Sequence, residues 1–543
     1  MALHLLFYAI TFFISLLVLL QTIFSFNNRK RCRLPPSPMS LPIIGHMHLI
    51  ETVPYKSFHK LSTRYGPLIH LRLGSIPCII ASSPELAKEF LMTNELTFAS
   101  RPVTIAIDYL NYNSAGFAFA AHGPLWKFMK KVLMSELLGG QALTQRQYIR
   151  RDEIQRLVQL LGKKSNDGET VNVSEELMKL SNNIITRMML GIRYSGRKDQ
   201  AEEARTLVRE VTEIFGQFNL SDSFGFLRNL DLQGFFKKSV DIRQRYDILL
   251  ERIMEEREDV RKKKKEKTSD DGGKVKDFLD ILLDVSEDEK SEIKLTRDNV
   301  KAFLLDIMTA GTDTSAGAAE WALGELINHP HILEKAREEI DSVVGKSRLV
   351  DESDLPNLPY LQAIFKEALR LHPPAPMLAR ESTQACKVGG FDIPAKTRLF
   401  VNVWSINRNP KYWKNPLEFR PERFMTSKQS TSLKGGQGEE YDQDMTSQNR
   451  DVRGQHFDFL PFGTGRRGCP GIWLSLLEAP AVLAAIIQCF DWKLVGNGNN
   501  AVIDMTERPG LTVPKANPIL LVLATGLDPF TFAKDGSQAP SQP

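Results

Sequence analysis

The sequence predicts a mainly α-helical body with small β-sheets behind an N-terminal transmembrane helix. Three observations carry this. A mostly apolar run, Leu3 to Phe26, is followed at once by Arg29, Lys30, Arg31 and Arg33. A proline-free stretch from Leu295 to Asn328 is stopped by Pro330. Strand-like segments, such as Pro67 to Leu73 and Pro77 to Ala81, are short beside the helical ones. Composition is ordinary for a globular chain: 543 residues, 42% hydrophobic and 25% charged. That length is ample for a large core and by itself suggests more than one domain. The net charge of +5 is small, and no dense basic region points to nucleic acid. The five cysteines, Cys32, Cys78, Cys386, Cys469 and Cys489, are odd in number and scattered. They form neither a disulfide framework nor a zinc pattern, which suits a reducing compartment.

Residues 1–28 read as a membrane anchor, since about 20 residues of helix cross a hydrocarbon core of roughly 30 Å. The basic cluster behind them keeps that end, and the body after it, in the cytosol. A cleaved signal peptide is the rival; the run lacks a basic start and a small-residue cleavage site. Residues 29–40 combine the basic stop with a stiff Leu34-Pro-Pro-Ser-Pro38 hinge. Tyr55 to Tyr65 is helical in pattern, and the two strand-like segments form a hairpin about Gly74 and Ser75. Pro84 to Leu91 starts with a proline suited to a first helical turn. Thr97 to Gly123 is long and irregular, as functional loops are, and contains Tyr109, Phe117 and Phe119. In the next helix Trp126 and Lys130 project together. Val171 to Val260 is largely helical, with breaks at 191–196 and 230–234. Two stretches read as exposed and mobile: Lys262 to Lys276, dense in charge, and the insertion 426–450.

Leu295 to Asn328 makes a helix of roughly 30 residues, about 45 Å long. Its apolar residues lie on more than one side, which places it in the core. Ala310, Gly311, Asp313, Thr314 and Ser315 sit at its middle. The acid either faces water, with hydroxyls bonded back to the previous turn, or is buried for a purpose. Glu367 and Arg370 share a face of the helix Tyr360 to Leu371, and Arg423 follows in Pro-Glu-Arg-Phe. Lys387 to Val401 reads as short strands. Phe459 to Gly471 then sets Cys469 in a loop with Gly463, Gly465, Gly468 and Gly471, behind Arg466 and Arg467. Glycines let backbone approach a flat cofactor, and a thiolate is a soft ligand for iron. A buried free cysteine in a tight turn is the alternative.

Together these residues resemble the cytochrome P-450 superfamily. Phe462, Gly465, Arg467, Cys469 and Gly471 match its haem loop, Ala310 to Ser315 its central-helix motif, and Glu367, Arg370 and Arg423 its two structural motifs. The resemblance spans nearly the whole chain. It implies a cytochrome P-450 fold, with one haem–thiolate monooxygenase domain over 41–530 and a flexible tail at 531–543. It further implies haem b, with Cys469 as axial iron ligand, and Trp126, Lys130, Arg380, Phe462 and Arg467 as cofactor-binding residues. Asp313 and Thr314 would be the catalytic pair, delivering and holding protons for oxygen activation. Lysine at 130 keeps the usual positive charge but not bidentate pairing. Electrons would come from NADPH through a separate NADPH–cytochrome P-450 reductase, docking near Lys127, Lys130, Lys131 and Arg466. The location implied is the endoplasmic reticulum membrane, with the catalytic domain on its cytosolic face.

Within the superfamily, Gln200 to Phe215, Asn229 to Gly234 and Asp451 to His456 resemble the plant flavonoid group. Gln200 to Gly234 leans to flavone synthase II, and Arg380 to Trp404 to the dihydroxypterocarpan 6a-hydroxylase. Isoflavone synthases carry lysine where this chain has Ala379, and Asp-Ser-Thr where it has Asp313-Thr-Ser315. The resulting expectation is oxidation of a flavanone at C-2. The pocket would be shaped by Tyr109, Phe117, Phe119, Ala310, Leu378 and Leu511, each aromatic having plain core packing as its alternative. A haem-dependent isomerase and a haem-binding sensor are the rival functions.

Overall fold

The computed structural model describes residues 32–193, 198–227, 230–266, 276–426, 450–495 and 502–526, with His4, Tyr8, Phe12 and Ser15 as isolated helical positions. The expected anchor, most of the 426–450 insertion and the 531–543 tail lie outside these residues.

The body is helical, with three small sheets at its margins. The helices that build the site are α1 (Pro54–Tyr65), α2 (Pro124–Leu133), α3 (Val173–Leu190), α4 (Lys198–Gly216), α5 (Phe235–Glu266), α6 (Arg297–Asn328), α7 (Pro359–Leu371) and α8 (Ile472–Cys489). Local chemistry explains their ends. Thr296 caps α6 in a reciprocal box with Asn299, and Pro330 follows its end. Pro54, Pro124 and Pro359 open α1, α2 and α7, where a missing N–H costs nothing. Gly191 closes α3 in the left-handed conformation.

Helix α6 runs through the core and packs most extensively on α3. Gly311 explains how closely: a Cβ there would lie 2.8 Å from Ile185 Cγ1. This glycine serves helix packing. Helix α8 has a membrane-like hydropathy, yet most of it is buried against α6 and its neighbours, so it is a core helix.

The largest sheet has the order β1-β2-β7-β4, made of β1 (Leu68–Leu73), β2 (Ile76–Ala81), β4 (Met377–Glu381) and β7 (Arg398–Asn402). The expected hairpin is its β1–β2 pair, with Leu68 opposite Ala81. β3 (Thr170–Asn172), β9 (Leu520–Thr525) and β8 (Phe490–Leu494) form a second sheet. β5 (Cys386–Val388) and β6 (Phe391–Ile393) form a third. The single body overrides the length-based expectation of several domains.

Two boundaries need correction. Helix α5 continues to Glu266, so the charged stretch beginning at Lys262 starts as helix rather than loop. Arg450, placed in the surface insertion, is buried: its Nε donates to Asp458 at 2.6 Å and its guanidinium covers the Trp413 ring at 4.3 Å.

Candidate active site

The cysteine loop is shaped by its glycines and by its neighbours. Gly463 and Gly465 adopt φ of 66° and 69°, whereas Gly471 does not need the left-handed region. Cys469 N donates to Phe462 O at 2.9 Å, closing the loop under the thiol. Leu378 lies against it, 3.5 Å from where a Gly463 Cβ would be. Cys469 is exposed by surface area, yet burial is the largest influence on its thiol and pushes its pKa up. Both hold if the sulfur faces space enclosed by protein. The Gly471 N–H and the Arg101 charge act the other way, favouring thiolate.

Ala310 is likewise exposed, in the middle of an otherwise buried helix, so the same enclosed space reaches α6. Thr314 donates its hydroxyl to Ala310 O at 2.6 Å, the back-bonded geometry, which leaves its oxygen free to accept. Asp313 turns elsewhere: its carboxylate accepts from the Thr512 hydroxyl. Burial raises its pKa, against the lowering effects of Thr512, Arg508 and Arg209.

Around the cysteine loop the buried polar groups are cationic and short of partners. Arg380 is buried on β4, with Nη1 on its own neighbour's carbonyl, Ala379 O, and Nη2 3.4 Å from Arg467 O. Arg467 spends its donors on carbonyls: Nε on Ala99 O at 2.7 Å, Nη2 on Ala120 O. Arg101 Nε, His122 Nε2 and Trp126 Nε1 are buried without any hydrogen bond. Burial and the mutual repulsion of these arginines push Arg467 down to about 9 and Arg380 well below its ordinary range. Among the described residues no carboxylate forms an ion pair with Arg101, Arg380 or Arg467. Three buried guanidiniums and two orphan ring N–H or N positions ask for an anionic guest with several acceptor oxygens. The two carboxylates of a haem meet that demand. Lys130 contributes differently from expectation, donating to Arg466 O at 2.6 Å while lying 5.2 Å from the Trp126 ring centre.

Arg101 and His122 were missed by sequence reasoning. Their signal is position: both lie in the 97–123 segment, expected to be irregular throughout but carrying a short helix, Ile105–Leu110, capped by Thr104. That loop is itself clamped. Asn111 Nδ2 and Ala118 N each donate to Asp306 of α6 at 2.7 Å, and Gly116 N donates to Asn111 Oδ1 at 2.9 Å. A Cβ on Gly116 would meet Asp306 Oδ2 at 2.3 Å, so only glycine lets the loop descend this far.

The expected pocket residues do not converge. Tyr109 packs on Phe236 of α5 with Arg243 over its ring. Phe117 stacks on Trp126 at 5.6 Å and 11°, bracing the haem-facing indole. Phe119 meets Phe215 of α4 edge-on, and Leu511 reaches the end of the same helix. Of the six, Ala310 is the one whose exposure within a buried helix marks the enclosed space directly, while Tyr109 and Phe117 make the ring contacts just described.

Behind the cysteine loop, Arg370 chelates Glu367 through Nε and Nη2 at 2.7 and 2.8 Å, and Arg423 Nε joins at 3.0 Å. Their remaining donors hold the carbonyls of Asn407, Pro416, Lys414 and Asn415, winding the chain before the loop into place.

The cytochrome P450 family profile matches residues 35–522. The chain belongs to the cytochrome P450 family. It is 55% identical over 505 residues to cytochrome P450 93B2 of Gerbera hybrida, covering 93% of this chain and 94% of that one. It is 50% identical over 507 residues to 3,9-dihydroxypterocarpan 6A-monooxygenase of Glycine max, covering 93% and 95%. A zebra fish cytochrome P450 structure with abiraterone has the same fold, with a TM-score of 0.68 at 24% identity, covering 87% of this chain and 99% of that one. As a P450, the chain is a monooxygenase that works with haem iron and receives electrons originating from NADPH through a redox partner.

Proposed function

We propose that this P450 oxidises a flavonoid, a flavanone at C-2, yielding a 2-hydroxyflavanone or, with loss of the neighbouring hydrogen, a flavone. For the flavone outcome the balance is flavanone, O2, NADPH and a proton giving flavone, two waters and NADP+. The observation that carries the substrate class is 50% identity, nearly end to end, with an enzyme whose name makes it a monooxygenase of a dihydroxypterocarpan. The flavanone preference rests on the flavone-synthase-like wording of 200–234 and on Ala379. A pterocarpan hydroxylase is the second reading, favoured by that same relative and by the wording of 380–404.

In this reading haem held by Cys469 supplies the oxygen-activating chemistry. The chain's own residues do the rest. Arg101, Arg380, Arg467, His122 and Trp126 bind and orient its carboxylates. The Thr314 oxygen, free to accept, holds a water or hydroxyl proton on the α6 side, and Asp313 feeds protons from the opposite side. Lys127, Lys131 and the exposed part of Arg466 form a cationic face for a reductase. Residues 1–28 anchor the body to the endoplasmic reticulum membrane. The deciding experiment uses yeast microsomes containing this chain and a plant reductase, incubated separately with naringenin, liquiritigenin and 3,9-dihydroxypterocarpan. Mass spectrometry should show a flavone or 2-hydroxyflavanone from the flavanones. Product from the pterocarpan alone would establish the second reading.

A further inference from the structure

The chain between α8 and β9 returns through the body as a narrow loop. Arg508 N donates to Pro514 O at 2.8 Å, Glu507 bridges Lys515, and Ala516 N donates to Thr506 O at 2.8 Å. The loop is fastened at two places: at its base Ile503 N donates to Asn328 Oδ1 of α6 at 2.8 Å, and beside its tip Val513 O accepts from Trp321 Nε1 of α6 at 2.7 Å while Val513 N donates to Pro374 O at 3.2 Å. Its tip has two neighbours. A Cβ on Gly216, at the end of α4, would lie 2.1 Å from Leu511 N, so the tip touches that helix end. The adjacent Thr512 donates its hydroxyl to Asp313 Oδ2 in the middle of α6. Among the described residues, Thr512 is the only hydrogen-bond donor to that carboxylate. The charges facing Asp313 are less direct. Arg508 is drawn to Glu213 at 3.7 Å, Arg209 lies nearby with Nη2 on Met178 Sδ, and Glu320 is about two turns along the helix.

We propose that Thr512 is the positioning residue for Asp313, and that through it the seat of the C-terminal loop over the cavity sets whether the acid is held ready. A hydroxyl that donates to Oδ2 marks that oxygen as the acceptor and leaves Oδ1 to carry the exchangeable proton. One peptide unit separates Thr512 from Leu511, whose side chain is 41% exposed at the loop tip and is an expected pocket residue. A ligand that presses on Leu511 therefore moves the one hydrogen bond that, among the described residues, fixes the acid. Filling of the cavity and supply of protons become one mechanical event, with no change in the fold. This inference rests on the reading of Asp313 as the proton-feeding acid.

The test uses the full-length haem-loaded enzyme with its reductase and whichever of naringenin, liquiritigenin or 3,9-dihydroxypterocarpan it converts. Thr512→Val removes the hydroxyl at nearly constant shape; Thr512→Ser returns it; Thr512→Ala stands in if the valine variant fails to take up haem. The valine variant is expected to keep a thiolate-type ferrous–CO spectrum. Substrate-free amide exchange across 505–516 should become about tenfold faster, the worth of one hydrogen bond to a charged group. Product formed per NADPH should fall severalfold, with peroxide made instead, and serine should restore both. Coupling lost in Asp313→Asn but kept, with unchanged exchange, in Thr512→Val overturns this inference alone. Coupling unchanged in Asp313→Asn overturns the assignment of Asp313 and this inference with it.

Discussion

Burying Arg101, Arg380 and Arg467 without a carboxylate partner costs free energy that an anionic guest must offset. This gives opposite signs for the apo and haem-loaded chain. Arg380→Met removes a buried charge that only other arginines face, so the haem-free protein should unfold at a higher temperature than wild type. The same variant should bind haem more weakly, by roughly the 1–3 kcal/mol of a lost charge-assisted contact. Calorimetry of the apo form and haem titration read the two effects separately. Glu478 makes a pH-dependent case. It is buried in α8, accepts one hydrogen bond, from Ser181, and has Oε2 unpartnered. Burial pushes its pKa up to about 7, above its unfolded value. The unfolded chain then ionises first, so this group lowers stability as pH rises from the ordinary carboxylate range to about 7. Glu478→Gln should remove that fall, gaining roughly 1–3 kcal/mol at pH 8 relative to pH 5. Urea unfolding at the two pH values would show it.

Among the elements, α6 carries four separate duties. Gly311 admits α3, Asp306 holds the 97–123 loop, Ala310 and Thr314 face the enclosed space, and Asp313 meets the C-terminal loop. Overpacking the first should be felt as stability: Gly311→Val is expected to cost about 1–3 kcal/mol, measured by denaturant midpoint. Lifting the loop should be felt in binding. Gly116→Ala forces the backbone off Asp306, so the substrate-induced spin shift should require several times more ligand and, since Arg101, His122 and the carbonyls holding Arg467 belong to the same segment, haem retention should also weaken, read by absorbance after gel filtration. The central helix was legible from its missing prolines and its Pro330 stop; the Thr296 cap came from the structure. Its division of labour was not, because helical spacing says which residues share a face but not what each face meets.

At the scale of the molecule, the proposed cationic face and the proposed anchor each make a prediction about how this P450 receives electrons. Lys127 and Lys131 are exposed on helix α2, and Lys131 has a 3.8 Å contact with Glu292. Lys127→Glu with Lys131→Glu should slow reductase-driven turnover severalfold and most at low ionic strength, since exposed charges act over a Debye length of about 10 Å at 0.1 M salt. Product yield driven by added peroxide should be unaffected. Alkaline carbonate extraction tests the 1–28 anchor; release of the chain into the soluble fraction would sink it.

The sequence by itself determined the helical body, the β1–β2 hairpin, Cys469 with its glycines, and the Glu367–Arg370–Arg423 network. Each depends on short-range spacing or on residue types whose chemistry is unmistakable together. Only the tertiary structure decided which polar groups are left without partners, and hence that Arg101 Nε and His122 Nε2 join Trp126 Nε1 as buried orphans. It also placed Tyr109 and Phe117 against neighbouring rings, and joined Thr512 to Asp313 across 199 residues of chain. Those facts concern burial and contacts between distant segments. No local pattern encodes them, because an orphaned donor is defined by everything that packs around it.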